Sequence, residues 1–453
     1  MSTTKSKWLK RATRVLAAVG ALWLSWTLYA LIAPEAEDKV PESISVDHLS
    51  PDPTLTAQPR SDLLKLLESV LHSPVTSGNK VTPLINGNQI FPAMIDAIDR
   101  AEHAVYLLTY VYWSGQIADE FATALGKAVQ RGVKVRLILD AYGARKIPDV
   151  LLQRMEADGI IVAWFHPFEL YNVRHFNLRT HRKVMVVDGT VAFTGGVGIA
   201  DEWQGDARDS SEWRDDHFRI EGPAVDLLTG SFIENWLNAT GELLNVEVYK
   251  IAQRKTSDRA QSDNTQADDK STRLLVLSTS PRGDMSPISF SYWTALQLAT
   301  KSVNIATPYF VPDANLAKAL METAERGVIV NLLLPGDIND STLVRYASFA
   351  FYDNLINSGV AVYEYQRTMM HTKSIVVDER WSLFGSPNFD NRSFELNDEI
   401  LVVADDASLA ARLNESFMAD ISHSRQIRLE QTDFRYWVRQ VLAHLALFLR
   451  EQI

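Results

Sequence analysis

The chain has 453 residues, 46% hydrophobic and 22% charged, which is typical of a globular protein with more than one domain. It contains no cysteine, which excludes disulfides, cysteine-ligated zinc sites and thiol nucleophiles. The net charge of −11 argues against non-specific nucleic-acid binding, because that requires clustered lysine and arginine.

Residues 1–33 predict a cytoplasmic basic tail followed by a transmembrane anchor. Lysines and arginines precede an uncharged apolar run at 15–33, and acidic residues follow it. A run of about 20 apolar residues spans a bilayer as a helix, and the basic flank places the rest of the chain on the non-cytoplasmic side. A secretory signal peptide is the alternative, although its apolar core is usually only about 7 to 15 residues long.

Two polar segments divide the remaining chain. Residues 34–60 are rich in proline, serine and acidic residues and predict a flexible tether. Residues 255–272 lack any large apolar side chain and predict a linker. The folded part is therefore expected to form two lobes, at 61–254 and 273–453.

Both lobes show the same alternation of helix and strand. After a short helix within 61–71, the first lobe predicts helix 93–101, strand 104–110, helix 121–130 and strand 132–140. The second lobe repeats this order with helix 293–300, strand 302–307, helix 316–326 and strand 327–335. Strands that alternate with helices of this length build sheets covered on both faces. The fold class is thus α/β, with two similar α/β/α sandwich lobes.

The most specific pattern is a duplicated motif, HxKxxxxD. It occurs as HRKVMVVD at 181–188 and as HTKSIVVD at 371–378, and a glycine follows each aspartate at the same spacing. The two copies contribute these residues: His181, Lys183, Asp188, His371, Lys373 and Asp378. Both aspartates are grouped with the catalytic set, although each opens a turn and can instead bind nearby backbone amides.

Two histidines and two lysines suit the cleavage of a phosphodiester. The reaction needs a nitrogen nucleophile, a proton donor for the leaving oxygen and fixed positive charge for the phosphoryl oxygens. If the lobes pack about a pseudo-twofold axis, both copies meet in one pocket at their interface. A metal site is disfavoured, because a lysine two residues from each histidine would repel a divalent cation.

These motifs resemble the phospholipase D superfamily, and the chain from about 81 to 421 resembles its bacterial cardiolipin synthase branch. Matching segments include WRDD at 213–216, GSPNFDNRS at 385–393 and NDE at 397–399. The resemblance implies a two-step displacement through a phosphohistidine, without metal or other cofactor. It also implies that His181 is the nucleophile and that His371 acts first as acid and then as base.

The resemblance implies further roles around the two motifs. Lys183 and Lys373 would hold the phosphoryl oxygens, and Asn388 and Ser386 would bind or orient the phosphate. Glu399 would accept a hydrogen bond from His371 and fix its tautomer. Asp215 is the corresponding candidate for His181, with Asp209 and Asp216 as alternatives. Gly198 departs from the family pattern, which normally has an asparagine there.

The function implied is that of a phosphatidyltransferase of the bacterial inner membrane, which makes cardiolipin from two phosphatidylglycerols and releases glycerol. A phospholipase D hydrolase is the nearest alternative, since only water in place of an alcohol distinguishes it. A nuclease of the same superfamily fits the motifs but not the charge or the anchor, so no nucleic-acid partner is expected. A non-catalytic lipid-binding protein is disfavoured by both intact motifs. Trp203, Trp213 and Trp236 are interpreted as core residues.

Overall fold

A computed structural model describes residues 62–167, 177–244, 271–281 and 286–429, together with the helical residues 442–443 and 446–447. The predicted anchor at 1–33, the tether at 34–60 and nearly all of the linker at 255–272 lie outside these residues. Within the part of the chain that the structure describes, no helix is long and apolar enough to cross a membrane.

The first half of the chain alternates strands and helices as predicted. Its elements are α1 (Leu63–Leu71), β1 (Val75–Ile85), α2 (Asn86–Asp99), β2 (Ala104–Thr109), α3 (Gln116–Gln130), β3 (Lys134–Asp140), α4 (Asp149–Ala157), β4 (Ile161–Phe165), β5 (Arg179–Thr180), β6 (Val184–Val187), β7 (Val191–Gly195), β8 (Asp216–Glu221) and α5 (Ala224–Thr240). A 3₁₀ turn spans Asp201–Trp203.

The second half repeats this order. Its elements are β9 (Thr272–Thr279), α6 (Pro287–Leu298), β10 (Ser302–Ala306), β11 (Phe310–Val311), α7 (Ala314–Glu325), β12 (Ile329–Pro335), α8 (Thr342–Asn357), β13 (Ala361–Tyr365), β14 (Ser374–Val377), β15 (Trp381–Gly385), β16 (Phe389–Asp390), β17 (Asn397–Asp405), α9 (Ala407–Ser422) and β18 (Ser424–Gln426). A π-helical turn spans Arg392–Leu396.

One continuous sheet runs through both halves. The strand order is β18-β13-β12-β10-β14-β15-β17-β9-β1-β8-β7-β6-β2-β3-β4, and β5 pairs separately with β17. The order reads the same way outward from the central antiparallel pair of β1 and β9, apart from β18 at one edge. The predicted lobes are therefore two pseudo-symmetric halves of a single sheet.

Three large apolar cores and two small ones pack against this sheet among the described residues. Helices α2, α3 and α4 cover one face of the first half, and α6, α7 and α8 cover the equivalent face of the second half. Helices α5 and α9 contribute to a third core that includes strands from both halves, for example Val186 of β6 and Val376 of β14. Each half is layered as expected, but the halves share a sheet and a core.

Helix α1 packs differently from its predicted assignment. Its apolar side chains Leu63, Leu64 and Leu67 are fully buried against residues of β9 and α6 in the second half. By packing, α1 belongs with the second half, whereas the sequence places it in the lobe at 61–254. An amphipathic helix shows which of its own faces is buried but not which partner buries it.

Candidate active site

Each motif histidine is anchored on the opposite half of the sheet. Strand β5 pairs in parallel with β17, and the backbone N–H of His181 donates to the carbonyl of Asp398 at 2.9 Å. In the same way, an isolated parallel bridge joins Arg214 to Met370, and the N–H of His371 donates to the carbonyl of Arg214 at 2.7 Å. These crossings bring the two motifs to the interface between the halves, as the sequence predicts.

The carboxylates are exchanged between the histidines. His181 Nδ1 lies 2.9 Å and 3.1 Å from the two oxygens of Glu399, and His371 Nδ1 lies 2.7 Å from Asp215 Oδ2. The expected pairing of Glu399 with His371 and of Asp215 with His181 is therefore wrong. The physical reason is the crossing of the chain: His181 follows β5, which pairs with β17 that carries Glu399, and His371 follows Met370, which bridges to Arg214 next to Asp215.

The two alternatives to Asp215 serve other partners. Asp216 accepts from Nη1 of Arg214, whose Nε donates to Asp420 of α9 at 3.0 Å. Asp209 is exposed and accepts from the backbone N–H of Ser211 at 2.9 Å. Of the three candidates, only Asp215 contacts a motif histidine.

The residue after each motif glycine lies beside the carboxylate of its own half. Ser386 donates its hydroxyl to Glu399 and accepts from the backbone N–H of Ile400 at 2.9 Å. At Gly196 there is no room for such a side chain, because a Cβ there would lie 2.2 Å from Oδ1 of Asp215. Ser386 thus orients the carboxylate that orients a histidine.

The motif lysines are buried next to the histidines. Lys183 Nζ donates to the carbonyl of His181 at 2.9 Å, and Lys373 Nζ donates to the carbonyl of His371 at 2.9 Å. Lys373 Nζ also lies 3.2 Å from Nε2 of His371. Two ammonium groups with few protein acceptors are well suited to an anionic ligand.

Burial dominates the titration of this site. It lowers the pKa of His181 to about 4, although Glu399 opposes the shift. It lowers the pKa of Lys183 to about 7 and that of Lys373 to about 8. For Glu399, burial acts in the opposite direction, but His181 and Lys183 outweigh it and the pKa falls below its ordinary value. Burial thus favours the neutral form of His181, while Glu399 favours its charged form.

The motif aspartates do not belong to this pocket. Asp188 accepts from the backbone N–H groups of Glu102, His103 and Ala104 at 2.8–2.9 Å. Asp378 accepts from the N–H groups of residues 300–302, and from the hydroxyl of Thr300 at 2.7 Å. Grouping these aspartates with the catalytic residues is wrong, and the structural alternative holds: each ties the turn after its motif to the start of β2 or β10.

Both HxKxxxxD motifs lie within segments that match one protein-family model. The family model described as "Cardiolipin synthase, PLD-like domain" matches residues 94–203 and 292–421. The chain belongs to this family. It is a phosphatidyltransferase of the phospholipase D superfamily.

Relatives and a solved structure agree with the assignment. Cardiolipin synthase 1 of Bacillus anthracis is 31% identical over 367 residues, covering 81% of this chain and 71% of the relative. The cardiolipin synthase of Halalkalibacterium halodurans is 31% identical over 381 residues, covering 84% and 73%. The crystal structure of phosphatidylserine synthase from Haemophilus influenzae has a TM-score of 0.66 at 14% identity, covering 86% of this chain and 100% of that one. This last likeness shows a shared fold.

The departure from the family pattern at Gly198 has a steric cause. A Cβ at this position would lie 2.6 Å from Cβ of Val111 and 3.3 Å from the ring of Trp203. In the second half the equivalent place after the motif holds Asn388, whose Oδ1 is buried without a protein partner among the described residues. Only the second half therefore carries an amide at this position, and its Nδ2, which donates, is the atom that suits a phosphoryl oxygen.

Two aromatic residues of the site were missed by the sequence analysis. Trp203 and Trp213 pack against the His371 ring, with centroids 5.4 Å and 5.5 Å away, and Nε1 of Trp203 donates to Asp215 at 2.9 Å. Trp203 is only 2% exposed, so the interpretation as core is correct for its burial but omits its contact with the site. Trp236 is buried in the core shared by the halves.

The part of the chain that the structure describes has no cluster of side chains arranged to bind a metal ion. No three histidine, aspartate or glutamate side chains there are grouped as ligands. Around the motifs, each carboxylate is already hydrogen-bonded to a histidine, and two lysine ammonium groups lie alongside. The donor chemistry of the site favours an anion over a cation.

Proposed function

We propose that this phosphatidyltransferase is a cardiolipin synthase, which joins two phosphatidylglycerol molecules and releases glycerol. The observation that carries the proposal is the pair of buried histidines, each bonded at Nδ1 to a carboxylate of the opposite half. A carboxylate at Nδ1 fixes the tautomer and leaves Nε2 for reaction. The relatives named as cardiolipin synthases favour this product among phospholipids.

In the first step, Nε2 of His181 attacks the phosphorus of one phosphatidylglycerol. A phosphorus–nitrogen bond forms while the bond from phosphorus to the glycerol oxygen breaks, and His371 gives a proton to that oxygen. Lys183, Lys373 and Asn388 stabilise the charge on the phosphoryl oxygens. Glycerol then leaves, and the phosphatidyl group stays on His181.

In the second step, a hydroxyl of another phosphatidylglycerol resolves the intermediate. His371 takes the proton of this hydroxyl, its oxygen bonds to phosphorus, and the phosphorus–nitrogen bond breaks. Cardiolipin is released and both histidines return to their starting state. Water in place of the alcohol would give phosphatidic acid instead.

His181 takes the role of nucleophile because the resemblance gives that role to the first motif. Burial lowers the pKa of both histidines. Glu399 favours a charged His181 and Asp215 favours a charged His371, while neighbouring lysine charge opposes protonation of both. These influences are alike for the two histidines, so the division of roles rests on the order of the motifs.

We also propose that residues 15–33 anchor the enzyme in the bacterial inner membrane, with the catalytic body on the non-cytoplasmic side. The apolar run and its basic flank support this placement. An anchor keeps the pocket close to the lipid headgroups that supply both substrates.

The full-length protein, purified and supplied with headgroup-labelled phosphatidylglycerol in detergent micelles, tests the proposal. We expect equal amounts of cardiolipin and glycerol, with no loss of activity when a chelator is added. Phosphatidic acid as the only phospholipid product would indicate a hydrolase, and lipid binding without turnover would indicate a non-catalytic protein. The variants His181→Ala and His371→Ala should each lose turnover.

A further inference from the structure

We infer that Arg214 and Asp420 are positioning residues of the reaction. Their buried ion pair joins the two halves and keeps Asp215 within hydrogen-bonding distance of His371. The inference rests on the proposed function, because it assigns to both residues an effect on the proton transfer by His371. Neither residue belongs to an HxKxxxxD motif, and both act through the histidine–carboxylate pair that they hold.

The pairing of Asp215 with His371 depends on a short backbone crossing. A single isolated bridge, between Arg214 and Met370, joins the two chain segments, whereas two residues of β5 pair with β17 at the other crossing. The carbonyl of Arg214 accepts from the N–H of His371 at 2.7 Å. Hydrogen bonds within the first half, such as that from Nε1 of Trp203, orient the Asp215 carboxylate but do not set its distance from the second half. This distance therefore depends on what holds Arg214.

The side chain of Arg214 is held by helix α9 of the second half. It is only 3% exposed. Its Nε donates to both oxygens of Asp420 at 3.0 Å, and its Nη2 donates to the hydroxyl of Ser416 at 2.7 Å. Asp216 accepts from Nη1, so one carboxylate from each half neutralises the guanidinium. A planar guanidinium that donates to several fixed acceptors has a single orientation. Helix α9 therefore fixes the place of this arginine.

Helix α9 is also packed with the residue before His371. Phe417, which lies between Ser416 and Asp420, shares one of the two small apolar cores with Met370. Met370 precedes His371, just as Arg214 precedes Asp215. One turn of α9 is thus linked to the segment of the histidine and to the segment of its carboxylate. This turn sets the spacing between the two partners.

The other crossing is held by the equivalent helix through different residues. Asn235 of α5 donates to Asp398 Oδ2 at 2.7 Å and accepts from Nη1 of Arg182. Arg182 follows His181, and Asp398 precedes Glu399. The buried arginine lies on the histidine segment at this crossing and on the carboxylate segment at the other, so the repeated motif does not reveal it. Each pair is held from a helix of the core that the halves share.

The position of Asp215 matters for proton transfer. Its bond to Nδ1 of His371 sets the direction of Nε2, which must face the leaving oxygen. Displacement of a catalytic group by about 1 Å can lower the rate about a hundredfold. Loss of the hold on Arg214 should therefore slow the departure of a headgroup that needs a proton. It should have little effect on a headgroup that leaves without one.

Single-turnover rates with two donors test this inference. The full-length enzyme, in excess over lipid in detergent micelles, receives either headgroup-labelled phosphatidylglycerol or phosphatidyl-p-nitrophenol. Release of glycerol needs the proton of His371, whereas release of nitrophenolate does not. The measured quantity is the ratio of the glycerol rate to the nitrophenol rate in one preparation. A loss of folded protein leaves this ratio unchanged, so it separates positioning from stability.

Asp420→Asn should lower the ratio about ten- to hundredfold, and Ser416→Ala should lower it in the same direction by less. The milder Ser416→Ala keeps the test decisive if Asp420→Asn does not fold. His371→Ala should show the same donor dependence with a larger effect, because it removes the acid itself. Glu415→Gln is the matched control, since Glu415 is an exposed carboxylate beside Ser416 on α9. It should keep the ratio and both rates.

An unchanged ratio would overturn the inference. If both rates fall by the same factor in Asp420→Asn and Ser416→Ala while His371→Ala lowers the ratio, the ion pair serves only the fold and the proposed function stands. If His371→Ala itself leaves the ratio unchanged, His371 is not the acid and no positioning of its proton transfer remains. If the unaltered enzyme releases neither glycerol nor nitrophenol, the proposed function is wrong and the inference falls with it.

Discussion

Glu399, in the second half of the chain, accepts a hydrogen bond at 2.9 Å from His181 in the first half. The reverse pair joins Asp215 of the first half to His371 of the second at 2.7 Å. Because each half supplies the carboxylate that orients the other half's histidine, neither half holds a complete histidine–carboxylate pair. The duplicated motif is thus one site built from two interdependent halves.

This exchange predicts which variants should behave alike. Glu399→Gln should reproduce the defect of His181→Ala, and Asp215→Asn that of His371→Ala, because each change disturbs the histidine across the interface. The loss in kcat should reach about 10³-fold or more for each carboxylate variant, since an amide favours the wrong tautomer of its histidine. The measurement is kcat with phosphatidylglycerol and with phosphatidyl-p-nitrophenol, whose leaving group needs no acid.

The second substrate separates the two pairs. If His371 is the acid, His371→Ala and Asp215→Asn should recover much of their activity with the nitrophenyl donor, whereas His181→Ala and Glu399→Gln should not. Recovery of Glu399→Gln together with His371→Ala would contradict the exchanged pairing. It would favour pairing within each half.

A second prediction concerns Asp378. Asp378→Asn should lower the free energy of unfolding by about 2 kcal/mol. Both carboxylate oxygens of Asp378 accept hydrogen bonds from backbone N–H groups, and the amide NH₂ of asparagine would replace one of these acceptors with a donor. Burial raises the pKa of Asp378, but hydrogen bonds from Thr300, Lys301 and Ser302 outweigh it and leave the pKa below its ordinary value. This contribution is therefore present above the unfolded pKa and is lost as pH falls through the folded pKa. Urea unfolding at neutral and acidic pH measures it.

Activity should separate this role from catalysis. The kcat of folded Asp378→Asn should stay within about threefold of the unaltered enzyme, since no reacting atom is touched. A collapse of kcat with unchanged stability would restore Asp378 to the reacting site.

A third prediction is a rise of KM with pH. The lysines must be charged to hold a phosphodiester, and burial lowers the pKa of Lys183 to about 7. A bound anion favours the charged form, so its pKa is higher in the complex than in the free enzyme. Substrate affinity is then highest below the pKa of Lys183 in the free enzyme. Between this pKa and the higher pKa of Lys183 in the complex, KM rises by up to about tenfold per pH unit. Lys183→Arg, whose charge does not titrate, should flatten this part of the profile; an unchanged slope would point to another group.

Much of this molecule follows from local sequence pattern, and the rest depends on contacts that no local pattern records. Strands β6 and β14 occupy the positions that the apolar runs after His181 and His371 predict. The partner of each histidine could not be read in this way, because spacing along the chain does not tell on which half a carboxylate meets a histidine. The contact of Trp203 with the site could not be predicted for a similar reason. A tryptophan is expected to be buried, but the hydrogen bond from its Nε1 to Asp215 depends on tertiary packing.

A fourth prediction tests the anchor. Deletion of residues 1–33 should move the protein from the membrane fraction to the high-salt soluble fraction, because the apolar run that spans the bilayer is lost. The control is the full chain, whose intact mass should show that these residues remain. A mature chain that lacks them would show instead that they are a cleaved signal peptide.

The last prediction concerns Gly198, where the family pattern has an asparagine. Gly198→Asn should destabilise the fold by about 1–3 kcal/mol, because the added Cβ would lie 2.6 Å from Val111 in a packed region. Val111→Gly removes the Cβ and Cγ1 atoms that obstruct the site, so the double variant should lose less stability than the sum of the two single changes. A double-mutant cycle in urea measures this coupling, and additive effects would show that Val111 does not exclude the asparagine. If the double variant folds, its KM for phosphatidylglycerol reports whether an amide at 198 adds the phosphate contact that Asn388 offers in the other half.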